Sequence, residues 1–191
     1  MFSKQITQDA YLKPLCSEDS EPLFELTDQN RDHLREWLPW VDATKSSKDT
    51  AAFIRLMEEH FHRTGCITAG IWYSGKISGV VGQNKIDPEH QNTSLGYWLG
   101  KEFQGKGLVT AACAHLIEHA FENKELERVE IRCAPNNLKS RSVAERLGFS
   151  LEGELRNAEK LYGTYVNHCV YSLLASEKEN IDQFIYLPPI C

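Results

Sequence analysis

A strand-like run, Ser94-Leu95-Gly96-Tyr97-Trp98-Leu99, is followed by a glycine-bearing loop, Gly100 to Gly107, and then by a helix-patterned run from about Leu108 to Asn123. This junction constrains the chain more than any other feature. Gly105 and Gly107 let the backbone come close to a ligand. The helix behind them presents unpaired N–H groups and the positive end of its dipole. Together they describe a cradle for a phosphate or diphosphate. A plain strand-to-helix turn that needs glycine for its geometry explains the two glycines equally well. Two familiar phosphate loops do not fit. The stretch follows G-x-x-x-x-G-K-[ST] until its last position, where Gly107 replaces the hydroxyl residue that would hold Mg²⁺. For G-x-G-x-x-G, Ala111 (or Thr110 by a shifted count) stands where the third glycine belongs.

The rest of the chain sets the frame for that junction. Its 191 residues allow one domain, with a core over about 10–174 and a C-terminal tail over 175–191. A formal net charge of −6 lacks the basic footprint of general nucleic-acid binding and suits small ligands or an amine-bearing partner. No apolar run approaches the roughly 20 residues that span a bilayer, and Met1 to Thr7 contains no signal-like apolar stretch. Cys16, Cys66, Cys113, Cys133, Cys169 and Cys191 are scattered and form no C-x-x-C pair, which reads as reduced thiols. A cytoplasmic protein with no membrane or nucleic-acid partner is expected.

Hydrophobic periodicity predicts an edge-type strand over Ala10 to Leu15, then helices over Ser20 to Gln29 and Arg31 to Trp37. Ser46-x-x-Asp49 starts a further helix, carried by Phe53, Leu56, Met57 and Phe61, to about His62. Thr68 to Tyr73 and Lys76 to Ile86, joined by Ser74-Gly75, read as a hairpin. Strands follow over Arg128 to Cys133, Phe149 to Glu152 and Val166 to Leu174. Between the first two lies a short helix, Lys139 to Leu147, stopped by Gly148. The order predicts a mixed α/β sheet with helices on both faces.

Other signals carry less. His115-x-x-Glu118-His119 spells an inverted zinc-protease motif. Cys113, Leu116, Ile117 and Ala120 form an apolar stripe that places the two histidines and Glu118 on the opposite face, and no third ligand is evident. No metal is expected. Cys113 and Cys133 read as buried thiols, and Trp72 as core.

Gln104 to Val109 resembles the [QR]-x-x-G-x-[GA] acetyl-CoA loop of the GNAT acyltransferases, with Val109 in place of the final small residue. Asn137-x-x-Ser140-x-x-Val143-Ala144-x-x-Leu147-Gly148-Phe149 resembles the second signature of that family, and Gly96 to Leu99 its preceding strand. Trp37 to Asp42, Leu151-Glu152-Gly153 and Gly163-x-Tyr165 are similar to the RimJ/RimL branch, the N-terminal acetyltransferases of ribosomal proteins. The resemblance runs from about Ala10 to Leu174. It implies the GNAT fold: a mostly antiparallel, twisted sheet with one splayed parallel strand pair, which takes acetyl-CoA in the split.

The same resemblance implies site residues. Acetyl-CoA would lie on Trp98, Leu99, Gln104, Gly105, Lys106, Gly107, Leu108, Val109 and Thr110, with Asn137 meeting the pantetheine arm. Ser140 would be the general acid and Glu159 the base, through a water. Ser140 otherwise reads as an N-cap, and Glu159 as a solvated charge in a polar loop. Trp37, Trp40, Tyr97 and Asn167 would line the substrate groove; Trp37 and Trp40 also suit a dimer contact. At Asn167 many relatives carry Asp. The acceptor is expected to be the N-terminal amine of a ribosomal protein, or else a small amine such as a polyamine, an antibiotic or an amino acid. A CoA-binding protein without turnover is the non-enzymatic alternative. The apolar tail, Ile185 to Ile190, offers a contact surface for a homodimer.

Overall fold

Eight strands form one sheet in a computed structural model that describes residues 3–185. They are β1 (Lys4–Thr7), β2 (Ala10–Pro14), β3 (Thr68–Tyr73), β4 (Lys76–Asp87), β5 (Asn92–Leu99), β6 (Arg128–Cys133), β7 (Ser150–Leu161) and β8 (Thr164–Leu174). Their spatial order is β1-β2-β3-β4-β5-β6-β8-β7. Every neighbouring pair is antiparallel except β5–β6. The turn between β3 and β4 has φ of 48° at Ser74 and 77° at Gly75, the left-handed pair that a two-residue hairpin needs to match strand twist. The expected edge strand at Ala10–Leu15 is instead second in the sheet. β1 covers it, and β1 is too short to show a period of its own.

Helices α1 (Ser20–Gln29), α2 (Arg31–Arg35), α3 (Ser47–Thr64), α4 (Leu108–Glu118), α5 (Leu138–Arg146) and α6 (Asp182–Ile185) complete the chain. Adjacent residues of β4 show the two layers. Val80 packs with Leu23 and Leu26 of α1 and Ile54 of α3, while Val81 belongs to the core that holds α4 and α5. The start of α3 is the expected capping box, with Asp49 Oδ2 accepting from the Ser46 N–H at 2.9 Å. Most of the apolar residues that mark its period do not face inward: Phe53, Leu56 and Phe61 are exposed, whereas Thr50 and Ile54 are buried.

Helix α4 corrects a second expectation. Every residue from Thr110 to Ile117 is buried, because the helix sits between the sheet and α5 and α6. A helix enclosed on all sides has no solvent face. His115 is therefore buried rather than exposed; its Nδ1 lies 3.5 Å from Glu118 Oε2, and burial keeps its pKa down. Among the described residues, no three His, Cys, Asp or Glu side chains converge as a metal site. No helix there is long and apolar enough to cross a membrane. The apolar tail from Tyr186 onward, with Cys191, lies outside the described residues.

The far end of the sheet carries an ion-pair cluster. Arg128 grips both oxygens of Glu152 at 2.6 Å, and the Ser172 hydroxyl donates to the same carboxylate at 2.9 Å. Arg128 first, then Ser172, pulls the Glu152 pKa down to about 2 from its ordinary 4.5. A depressed pKa contributes stability above the ordinary value and loses it as pH falls through the window down to about 2. Glu152 is 44% exposed, so solvent screening limits its share to about 1 kcal/mol. Glu152→Gln is expected to cost about that much at pH 7 in urea unfolding, and nothing at pH 2. An equal cost at both pH values would refute the pairing.

Candidate active site

The parallel pairing of β5 with β6 runs from Asn92↔Arg128 to Leu95↔Ile131 and stops. Beyond it β5 stays with β4 as far as Gly79↔Leu99, and β6 stays with β8 as far as Cys133↔Cys169. The two strands part, and backbone polar groups of Gly96–Leu99 and Arg132–Cys133 face a gap instead of each other. Such groups need a partner, and an extended ligand can supply one as a further strand would. The gap opens into a cavity of about 1000 Å³.

Below the open end of β5 lies the start of α4. Gly105 and Gly107 have φ of 76° and 73°, the left-handed region. A methyl group at either position would meet no described atom within 4 Å, so this backbone faces open space. The helix has no side-chain cap and no acidic residue in its first turn. Its leading N–H groups, at Leu108, Val109 and Thr110, therefore keep their donors for an anion. Val109 changes the side chain only, and its N–H remains. Arg146 Nη1 donates to Thr110 Oγ1 at 2.6 Å and ties α5 to this turn.

Two residues that sequence reading missed hold the loop from the α1–α2 corner. Asn30 Oδ1 accepts the Lys101 N–H at 2.8 Å. Gln104 Nε2 donates to His33 Nε2 at 2.7 Å, while Lys139 Nζ donates to Gln104 Oε1 at 2.7 Å. Burial, then the charge of Lys139, lowers the His33 pKa, which suits an imidazole acting as acceptor. No motif marks these positions, because they act from more than 60 residues away in sequence.

At the other end Ser140 and Glu159, the residues expected as acid and base, meet the same cavity. Asn137, not Ser140, is the N-cap of α5: its Oδ1 accepts the Ser140 N–H at 3.1 Å. The Ser140 hydroxyl is thereby left for other work, and the Tyr97 hydroxyl lies 3.0 Å from its Oγ. Burial raises the Tyr97 pKa well above its ordinary value, so the phenol stays protonated. The nearby Cys133 thiol is also pushed up by burial, with Ser140 working against the shift. Glu159 lies in β7 rather than in a loop. That strand is exposed on both faces for most of its length, so it lacks the alternation that marks a strand. His168 Nε2 is 3.2 Å from Glu159 Oε2.

Trp37, Tyr97, Trp98, Leu99, Gln104 through Thr110, Asn137, Ser140 and Glu159 all line the cavity. Trp40 does not: it stands behind Trp98, ring centroids 5.8 Å apart. Nor does Asn167, whose Oδ1 accepts the Asn157 N–H at 2.9 Å and whose Nδ2 donates to Glu154 Oε1 at 2.5 Å. The hairpin tip closes over the cavity rim. Tyr162 donates its hydroxyl to the Leu38 carbonyl at 2.7 Å, and Arg35 lies over the Tyr162 ring at 3.9 Å.

A split parallel strand pair with an uncapped helix start beneath it suits the extended, phosphate-bearing carrier that an acyltransferase uses. The chain belongs to the Acetyltransferase (GNAT) domain family, whose model matches residues 10–150. A Bacillus subtilis protein provisionally named a ribosomal N-acetyltransferase, YdaF, is 38% identical over 94% of this chain and 98% of its own. The ribosomal-protein-serine acetyltransferase of Escherichia coli is 30% identical over 88% and 94%. Among solved structures, RimL, the ribosomal L7/L12 alpha-N-protein acetyltransferase in complex with coenzyme A, superposes with a TM-score of 0.86 at 26% identity, covering 91% of this chain and 98% of that one. The protein is an acetyl-CoA-dependent N-acetyltransferase, and the expected RimJ/RimL likeness holds across most of its length. The fit to the co-substrate is physical: the gap offers strand-like backbone, and the two bare glycines leave room for a diphosphate against the helix start.

Proposed function

We propose that this chain acetylates the N-terminal α-amine of a protein, with a ribosomal protein as the acceptor, by direct attack in a ternary complex. The observation that carries this reading is the convergence of Ser140 and Glu159 on the cavity below the strand split. The names of the relatives support the ribosomal acceptor. In this reading the N–H groups from Gly105 to Thr110 hold the diphosphate, Asn137 meets the pantetheine arm and the Leu99 N–H polarises the acetyl carbonyl. Glu159, through a water, accepts a proton from the ammonium. The amine then forms the C–N bond, the C–S bond breaks and the sulfur takes a proton from Ser140, which regains one as the acetylated nitrogen gives up its second proton.

Magnitudes decide how much each group contributes. An α-amine has a pKa of about 7.7–8.0, so roughly one molecule in ten is already neutral at pH 7. Glu159→Gln is thus expected to lower kcat about tenfold at pH 7. For an alkyl amine such as a lysine side chain, with pKa about 10.4, the neutral fraction is on the order of one in two thousand, and the same variant would lose far more. Thiols ionise near pH 8.5, so the thiolate leaves readily and Ser140→Ala is likewise expected to cost about tenfold.

The test follows release of free CoA with peptides ending in a free α-amine, with lysine-containing peptides whose N-terminus is blocked, and with polyamines. Transfer confined to the free N-terminus supports the reading. Transfer confined to polyamines or lysine overturns the acceptor. Tight acetyl-CoA binding with no transfer to any amine overturns the enzyme mechanism.

A further inference from the structure

The β7–β8 hairpin is irregular where it meets the cavity. Leu155 pairs with His168 and Glu159 pairs with Val166, so three residues of β7 (Arg156, Asn157 and Ala158) face one residue of β8, Asn167. Asn157 takes a φ of 50°, and Asn167 fastens the excursion at both sides, to the Asn157 N–H and to Glu154. A bulge of this kind re-aims the residues beside it. Here it sets Glu159 diagonally across from His168, the two heads 3.2 Å apart, both against the cavity. Side chains in that diagonal relation are within reach of one another across a strand pair.

A carboxylate can only accept, so the imidazole Nε2 carries the hydrogen of this contact. Glu159 Oε2 is engaged, and Oε1 has no protein partner among the described residues. Among those residues, Glu159 is also the one charged group within ion-pairing distance of the His168 ring. A surface glutamate has several rotatable bonds and samples many positions. Holding one of its oxygens removes that freedom before substrate arrives, which is where positioned groups gain their rate.

We propose that His168 is a positioning residue for acetyl transfer: its Nε2–H holds the Glu159 carboxylate in the cavity with the second oxygen free to accept, through a water, the proton of the acceptor ammonium. The proposal rests on the role given to Glu159 above. One proton leaves the ammonium through Glu159 to solvent. The amine lone pair then forms the C–N bond as the C–S bond breaks, and the second amine proton is balanced by the one the sulfur acquires.

The experiment compares His168→Ala, His168→Gln and Glu159→Gln with the unaltered chain, using a free N-terminal peptide at about pH 7 and about pH 9. His168→Ala is expected to lower kcat about fivefold at the lower pH with KM for acetyl-CoA within about twofold, and to recover at the higher pH, where the amine is neutral unaided. His168→Gln, which keeps an N–H toward Glu159, is expected to restore most of the loss. A His168→Ala rate within twofold of the unaltered chain at pH 7, a deficit equal at both pH values, or no rescue by glutamine overturns the proposal. Full activity of Glu159→Gln would instead remove the reading on which it rests. Thermal unfolding of each variant separates these outcomes from loss of fold.

Discussion

Gly107→Val is expected to weaken acetyl-CoA binding by at least about a hundredfold while leaving the fold intact. Gly107 is the N-cap of α4 at φ 73°, a conformation in which a β-branched residue is a genuine outlier. Relieving that strain rotates the peptide groups on either side, which are the ones proposed to hold the diphosphate. Hydrogen bonds to a charged group contribute about 1.5–3 kcal/mol each, so misdirecting two of them gives a loss of that size. A valine side chain would also occupy the open space beside the loop. The fold is spared because Gly105, Lys106 and Gly107 are exposed and bury nothing. Calorimetric titration with acetyl-CoA, alongside a thermal melt, checks both halves. Undiminished affinity would show that the ligand does not use this turn.

Gly79→Ala is expected to destabilise the protein by at least about 3 kcal/mol, and so to lower Tm by roughly 6–12 °C. Gly79 of β4 lies opposite Leu99 of β5. A Cβ there would fall on the Trp98 carbonyl oxygen and come within 2.9 Å of the Leu99 Cα. Both obstacles are backbone, which cannot swing aside as a flexible side chain can. The end of β5 would have to move, and that end forms one wall of the strand split. Loss of stability is therefore expected together with loss of acetyl-CoA affinity. Gly153→Ala in β7 is the control, since a Cβ there meets nothing within 4 Å. Equal melting of the two variants would contradict this account.

Local chemistry explains which features were legible before the structure. The boundaries of α1 and β6, the capping box at Ser46, the turn at Ser74-Gly75 and the stop at Gly148 each depend on residues within a few positions of one another. The features that escaped all depend on what packs from elsewhere. The residues of α4 look amphipathic in isolation, yet neighbours on every side bury His115. Phe53, Leu56 and Phe61 look like a core stripe, yet α3 turns them outward. β7 was half hidden because both its faces are wet, so polarity carried no period.

The site divides along the same line. A turn carrying Gly105 and Gly107 before an uncapped helix is a statement about consecutive φ angles and orphan N–H groups, and such statements can be written in seven residues of sequence. Three other features cannot: the parting of β5 from β6 after Leu95↔Ile131, the approach of Tyr97 to Ser140, and the seating of Glu159 against His168. Each depends on strand register and on how neighbouring strands diverge. Those are set by packing across the whole sheet, so they come into being only when distant segments meet.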